Sequence, residues 1–186
     1  MSPPIDGDLL KKVDTVGPTA WGGHVYRYTT ARRDPLSGAG ARLNGGRWNP
    51  KDIFAALYFA TPVGACLGEL ERAAASQQLS VKTVLQVPYK FHTLDVQEVA
   101  VLDLRPTETM AAVSLTTADI ESDDWGHCQQ IGHAAWFLHF DGVLAPSATG
   151  RGDVLTLFEG RLAPGKLTLS TSEKLDMELF DRLKNA

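Results

Sequence analysis

The sequence predicts an α+β fold. Stretches of period-two alternation and stretches of helical period follow one another without the regular strand–helix rhythm of a doubly wound sheet. Neither G-x-G-x-x-G nor G-x-x-x-x-G-K-[ST] occurs, so the two common glycine cradles for dinucleotides and nucleoside triphosphates are absent. The 186 residues, 44% hydrophobic and 22% charged, suit one domain able to bury its own core.

Taken in order, residues 1–20 form a polar lead-in holding one short amphipathic piece, DLLKKVDTV. HVYRYTT, residues 24–30, alternates and is rich in β-formers, so it reads as a strand. RRDPLSGAGARLNGGRWNP, residues 32–50, reads as a loop punctuated by glycine and proline, and loops of that length usually carry function. FAALYFAT, residues 54–61, has the composition of a buried strand. Pro62 then opens a helix that runs to about Gln77, proline being tolerated in a first turn. VKTVLQVPYKFHTLDV (81–96) reads as a strand and AVLDL (100–104) as another. TETMAAVSL (107–115) suits a helix, and DDWGHCQQIGHAAWFLHF (123–140) a longer one whose first aspartates favour its dipole. Strands follow at GVLAPSA (142–148), DVLTLFEG (153–160) and KLTLSTS (166–172), and DMELFDRLKNA (176–186) closes the chain as a helix.

A net charge of −4 argues against a protein that coats nucleic acid, and no run approaches the roughly 20 apolar residues of a membrane span. The N-terminus lacks the apolar core of a signal peptide. The two cysteines, Cys66 and Cys128, stand outside any zinc-type spacing and read as buried thiols of a cytoplasmic protein. No metal ligand set is apparent.

Three polar residues fall at even intervals of eleven: Arg47 at the end of the glycine loop, Tyr58 inside the apolar strand, Glu69 inside the following helix. Consecutive elements can bring them to one cleft. Arg47 beside Trp48 fits two roles: a structural arginine tied to a carboxylate, or a fork for phosphate with an aromatic wall. Gly45 and Gly46 before it would let backbone approach a ligand closely. On the helix, Val63, Cys66, Leu67, Leu70, Ala73 and Ala74 form the apolar stripe. Glu69 and Glu71 flank that stripe on opposite sides, and helical phase does not choose between them. Arg27 and Tyr28 repeat the arginine-plus-aromatic pair on a strand, where alternation sends them to opposite faces, so at most one faces a given cleft. His24, His92, His127, His133 and His139 carry no catalytic signature. Ser147 lies in LAPSATG, outside any G-x-S-x-G elbow.

VYRYT, GGRWNP, LYFAT, ACLGELERAA and GVLAPSA, arriving in that order over about residues 20–175, resemble the RES-domain family, named for an Arg, a Glu and a Ser. The resemblance implies a single RES domain: lead-in 1–20, core 21–175, C-terminal helix 176–186. It implies a compact mixed sheet with flanking helices, similar to diphtheria-toxin-like mono-ADP-ribosyltransferases. Motif by motif, the family's arginine is Arg47, its tyrosine Tyr58, its glutamate Glu69 and its serine Ser147, and this selects Glu69 over Glu71. Arg27, Tyr28, Trp48, Asn49 and Ser147 are the implied binders of NAD+ or phosphate. The family forms the toxins of RES–Xre toxin–antitoxin pairs, so the implied substrate is NAD+, cleaved at the nicotinamide–ribosyl bond without a cofactor. Inorganic phosphate is the implied acceptor, giving ADP-ribose-1-phosphate; water (a glycohydrolase) and a protein side chain (an ADP-ribosyltransferase) are the alternatives. Arg27, Arg32, Arg33 and Arg42 are the arginines available to hold that phosphate. The implied partner is an Xre-like antitoxin that inserts its C-terminal tail into the cleft within a hetero-oligomer. The cleft should then be basic although the chain is acidic.

Two other classes compete. A toxin ribonuclease would need a general acid–base pair on a basic face, which the net charge of −4 and the scattered histidines do not offer. An inert scaffold that only binds an antitoxin would not need Arg47, Tyr58 and Glu69 together.

Overall fold

Asp6 starts the first helix: its carboxylate accepts the backbone N–H of Asp8, capping α1 (Gly7–Val16). The structure is a computed structural model that describes residues 4–186; the first three residues of the lead-in lie outside the described residues. After α1 the elements are β1 (Thr19–Thr30), α2 (Ala39–Asn44), β2 (Ala56–Thr61), α3 (Val63–Ser76), α4 (Val81–Val84), β3 (Tyr89–Asp103), α5 (Thr107–Ala112), α6 (Thr117–Glu121), α7 (Gly126–Phe137), β4 (Gly142–Pro146), β5 (Asp153–Phe158), β6 (Leu167–Leu175) and α8 (Met177–Lys184). The protein is α+β, a mixed sheet flanked by helices.

Four elements differ from the sequence reading. The glycine loop contains α2, because Ala-Gly-Ala-Arg-Leu offers enough helix propensity for about a turn and a half before Gly45, at φ 75°, ends it. Residues 81–84 are helical rather than extended: the Ser80 hydroxyl accepts from Thr83 N–H and caps a turn despite the β-branched residues. Residues 100–103 of AVLDL are not a separate strand but the end of β3, paired there with β1 and β4. The last long helix begins at Gly126, since Asp124 caps from outside by accepting Gly126 N–H, and α6 precedes it under a Thr116–Asp119 capping box.

The strands lie in the order β1-β2-β5-β4-β3-β6, and β1 also pairs with β3, so the sheet closes on itself. Only β3–β4 is parallel. Inside the closed ring sit Val25, Leu57, Phe59, Leu94, Val99, Leu144 and their neighbours. Two apolar layers cover the outside. One joins α1, α5, α6 and α7 to Phe54, Val143 and Phe158; the other joins α3 and α8 to Ala60, Phe91 and Leu175. Where these layers part, Ala56 of the outer face of β2 belongs to the first and Ala60 to the second, and Tyr58 between them is only partly covered. There β1 and β2 share a single register pair, Tyr26 with Ala60, so the two strands splay.

Candidate active site

A cleft of about 320 Å³ opens at that parting, over β2 and the gap beside β1. Arg47, Tyr58 and Glu69 all line it, as do Arg27, Tyr28 and Trp48. Loop, strand and helix are consecutive, and the outer face of β2 is the floor they share. Arg27, Arg47 and Arg72 face one glutamate in its lining, so the cleft is basic within an acidic chain.

Glu69 sits on α3 with Cys66, Leu67 and Leu70 buried behind it. Its carboxylate accepts the Ser147 hydroxyl at 2.7 Å. Ser147 is itself held: Thr149 N–H donates to its oxygen at 3.1 Å, the Thr149 hydroxyl lies 2.8 Å away, and Arg151 N–H donates to Thr149. The turn after β4 therefore fixes one rotamer of Glu69. Glu71 points elsewhere, accepting from Arg151 at 3.1 Å and from Lys184 of α8. Tertiary packing thus separates two carboxylates that helical phase left equivalent.

The glycine pair acts differently from the sequence expectation. Gly45 ends α2. Gly46 makes a two-residue antiparallel bridge with Asn49, and a Cβ there would run into the Tyr58 hydroxyl and the Asn49 carboxamide. The close approach is to the protein, not to a ligand. Asn49 is likewise no wall of the cleft: it is fully buried, donating from Nδ2 to Ala41 carbonyl at 2.8 Å and accepting the Tyr58 hydroxyl at 2.7 Å. Tyr58 in turn accepts Trp48 N–H at 2.9 Å. Tyr58 thus presents its ring to the cleft while its hydroxyl pins the loop, and burial pushes that phenol well above its ordinary value. Trp48, 2% exposed, packs into the core and fixes the loop that carries Arg47.

Arg47 donates to the carbonyl of Ser122 at 2.8 Å and lies over the Trp125 ring, 5.6 Å from its centroid. The segment between α6 and α7 thus holds it by neutral partners, with N–H groups of the fork left over. Arg27 is held in the same way, donating to Pro35 carbonyl at 2.7 Å and lying over Phe59. Burial and the nearby Arg33 lower its guanidinium to about 10.

Arg27 and Tyr28 both line the cleft, against the expectation from alternation. The splay between β1 and β2 opens the strand edge, so the cleft reaches side chains from both faces of β1. Tyr26 joins them, stacked on Phe91, and burial raises the Tyr28 hydroxyl above its ordinary range. Cys66 also lines the cleft, its thiol pushed up to about 12 by burial and then by Glu69. Arg32, Arg33 and Arg42 do not line it. Tyr26 and Arg72 were missed in the sequence; the signal was there, since Tyr26 shares a strand face with Tyr28 and Arg72 lies one helical turn after Glu69.

His92 and His133 are packed residues. His92 bridges Thr29 and Ser172 at 2.8 and 2.7 Å, and His133 lies against Phe54 and Trp136. Among the described residues no helix is long and apolar enough to cross a membrane, and no three of His, Cys, Asp and Glu are placed to hold a metal ion.

The family model described as the RES domain matches residues 24–177. The NAD(+) phosphorylase MbcT of Mycobacterium bovis is 46% identical over 184 residues, which span 99% of this chain and 99% of that protein. MbcT of Mycobacterium tuberculosis strain H37Rv is similar to the same extent, at 46% identity over 99% of both. Among solved structures, a chain of the crystal structure of the M. tuberculosis MbcT–MbcA toxin–antitoxin complex superposes with a TM-score of 0.92 at 45% identity, covering 98% of this chain and all of that one.

Proposed function

This chain belongs to the RES domain family, and from that premise we propose that it is the toxin of a toxin–antitoxin pair, an enzyme that depletes NAD+ by phosphorolysis to nicotinamide and ADP-ribose-1-phosphate. The observation that carries the reading is Glu69, fixed by Ser147, in a cleft whose other charged walls are arginines. Breaking the ribosyl C1′–N bond leaves a cation-like ribose and turns a pyridinium into neutral nicotinamide. A fixed carboxylate beside that ribose stabilises the growing positive charge and can hold its hydroxyls. Arg27 and Arg47 suit the pyrophosphate, since the N–H groups they have left can fork onto phosphate oxygens. Tyr26, Tyr28 and the ring of Tyr58 supply apolar walls for the flat nicotinamide. Ser147 and Tyr58 act in this reading through Glu69 and the Arg47 loop, respectively.

By the family resemblance the fold is similar to diphtheria-toxin-like mono-ADP-ribosyltransferases, with residues 21–175 as core and the two terminal segments as additions. The partner is an Xre-like antitoxin whose C-terminal tail enters the cleft and meets the arginines as a phosphate would. The site of action is the cytoplasm, where NAD+ is found. Purified chain incubated with NAD+ with and without inorganic phosphate tests the reaction. Nicotinamide together with ADP-ribose-1-phosphate, formed only with phosphate, is the expected result. ADP-ribose at a phosphate-independent rate would make it a glycohydrolase, and unchanged NAD+ an inert scaffold. An antitoxin lacking its last residues should still bind but no longer inhibit.

A further inference from the structure

Two anions must occupy one cleft during phosphorolysis, the NAD+ pyrophosphate and the incoming phosphate, and they must do so beside Glu69. Three arginines line that cleft, and two have partners. Arg47 is tethered to Ser122 carbonyl and the Trp125 ring, and Arg27 to Pro35 carbonyl and the Phe59 ring. Arg72 differs: among the described residues no carboxylate lies within 4 Å of it and none of its N–H groups finds an acceptor, although its neighbour Glu71 takes two cations. The residue is half-buried at the cleft wall, and its fork is unpaired.

Its position on α3 gives the vacancy a direction. Residues three apart stand on one helix face, so Arg72 is the cationic neighbour of Glu69 within a single turn. A dianionic nucleophile approaching a ribose held by Glu69 meets repulsion from that carboxylate. A guanidinium one turn away offsets it and offers two parallel N–H groups to phosphate oxygens.

We propose that Arg72 is the ligand of the acceptor phosphate and sets the preference for phosphate over water. This rests on the phosphorolytic reading above. In the step, a phosphate oxygen forms the bond to ribose C1′ as the C1′–N bond breaks, and the bonding pair leaves on the nicotinamide nitrogen. Arg72 holds the phosphate before and after and exchanges no proton.

The test is steady-state kinetics of Arg72→Gln and Arg72→Lys, with both substrates varied and the product identified. For Arg72→Gln the KM for phosphate should rise roughly tenfold or more, the scale of a lost charge-assisted hydrogen bond. The KM for NAD+ should move much less, and the product should shift towards ADP-ribose. Arg72→Lys should fall between, keeping charge without the fork. Should a variant turn over too slowly, thermal protection by inorganic phosphate against chloride at equal ionic strength reads the same site without NAD+; protection should weaken in Arg72→Gln. A KM for phosphate that stays put, or a KM for NAD+ that rises as much or more, overturns the assignment. A wild-type enzyme with no phosphate dependence fails one step earlier, at the phosphorolytic reading, and the assignment falls with it.

Discussion

The hydroxyl of Ser147 donates to Oε1 of Glu69 over 2.7 Å, linking the turn after β4 to the middle of α3. Seventy-eight residues separate the two in sequence. A carboxylate held by a short chain of hydroxyls from one side presents its free oxygen to the cleft in one orientation, and this orientation is what catalysis needs already in place.

Glu69→Ala should lower nicotinamide release on the order of hundredfold or more, the scale of a lost transition-state charge. The fold should persist, because alanine is the better helix former and the Ser147 hydroxyl keeps Thr149. Turnover and melting temperature measured together check both halves. Glu71→Ala should do the reverse, sparing turnover while loosening α8 from α3.

Ser147→Ala should cost less than Glu69→Ala. One hydrogen bond to a carboxylate is worth roughly 1.5–3 kcal/mol, so turnover should fall by about tenfold to a hundredfold with KM for NAD+ little changed. A loss as large as that of Glu69→Ala would mean that Ser147 touches the substrate itself.

Arg47→Lys should not restore the activity lost in Arg47→Ala. The guanidinium spends one edge on Ser122 carbonyl and its face on Trp125, and a planar fork has N–H groups left for an anion. An ammonium would have to give up one contact to make the other. Full rescue by lysine in the NAD+ assay would reduce Arg47 to a point charge.

Tyr58→Phe should act on stability before chemistry. It removes the acceptor of Trp48 N–H and the donor to the buried Asn49. Leaving those groups unpaired costs roughly 1–3 kcal/mol, which in a chain of this size lowers the melting temperature by about 3–10 °C. Calorimetry on the variant reads this directly, and Gly46→Ala should disturb the same junction from the other side.

Stability should fall as the pH drops below about 6.5. Burial, then Arg27 and Lys90, lowers His92 from its ordinary value of 6.5, and burial alone lowers His133. Between the folded and unfolded values the unfolded chain binds the extra protons, so stability rises with pH and is lost on acidification. Thermal melts from pH 8 to 5 should show this slope, and His92→Asn should flatten it.

Much of this was legible in the residues. Alternation over 24–30, the apolar run 54–61 and the helical stripe after Pro62 mark β1, β2 and α3 because each has a local period that packing then confirms. The motifs carried Arg47, Tyr58 and Glu69 to one place because three consecutive elements bear them. What local period cannot express is which neighbour arrives from far along the chain. Glu69 and Glu71 are equivalent on a helical wheel; the turn holding Ser147 comes to one and Lys184 of α8 to the other. Arg27 and Tyr28 belong to opposite faces of an isolated strand. They share a cleft only because the sheet closes on itself and parts β1 from β2 beyond one register pair. Asn49 reads as a binder of NAD+ or phosphate, yet folding draws it inside, since burying Trp48 carries the next residue in with it and Tyr58 and Ala41 satisfy its carboxamide. Side-chain chemistry was written in the order of residues, whereas partners depended on contacts between distant segments, and only the folded chain brings those together.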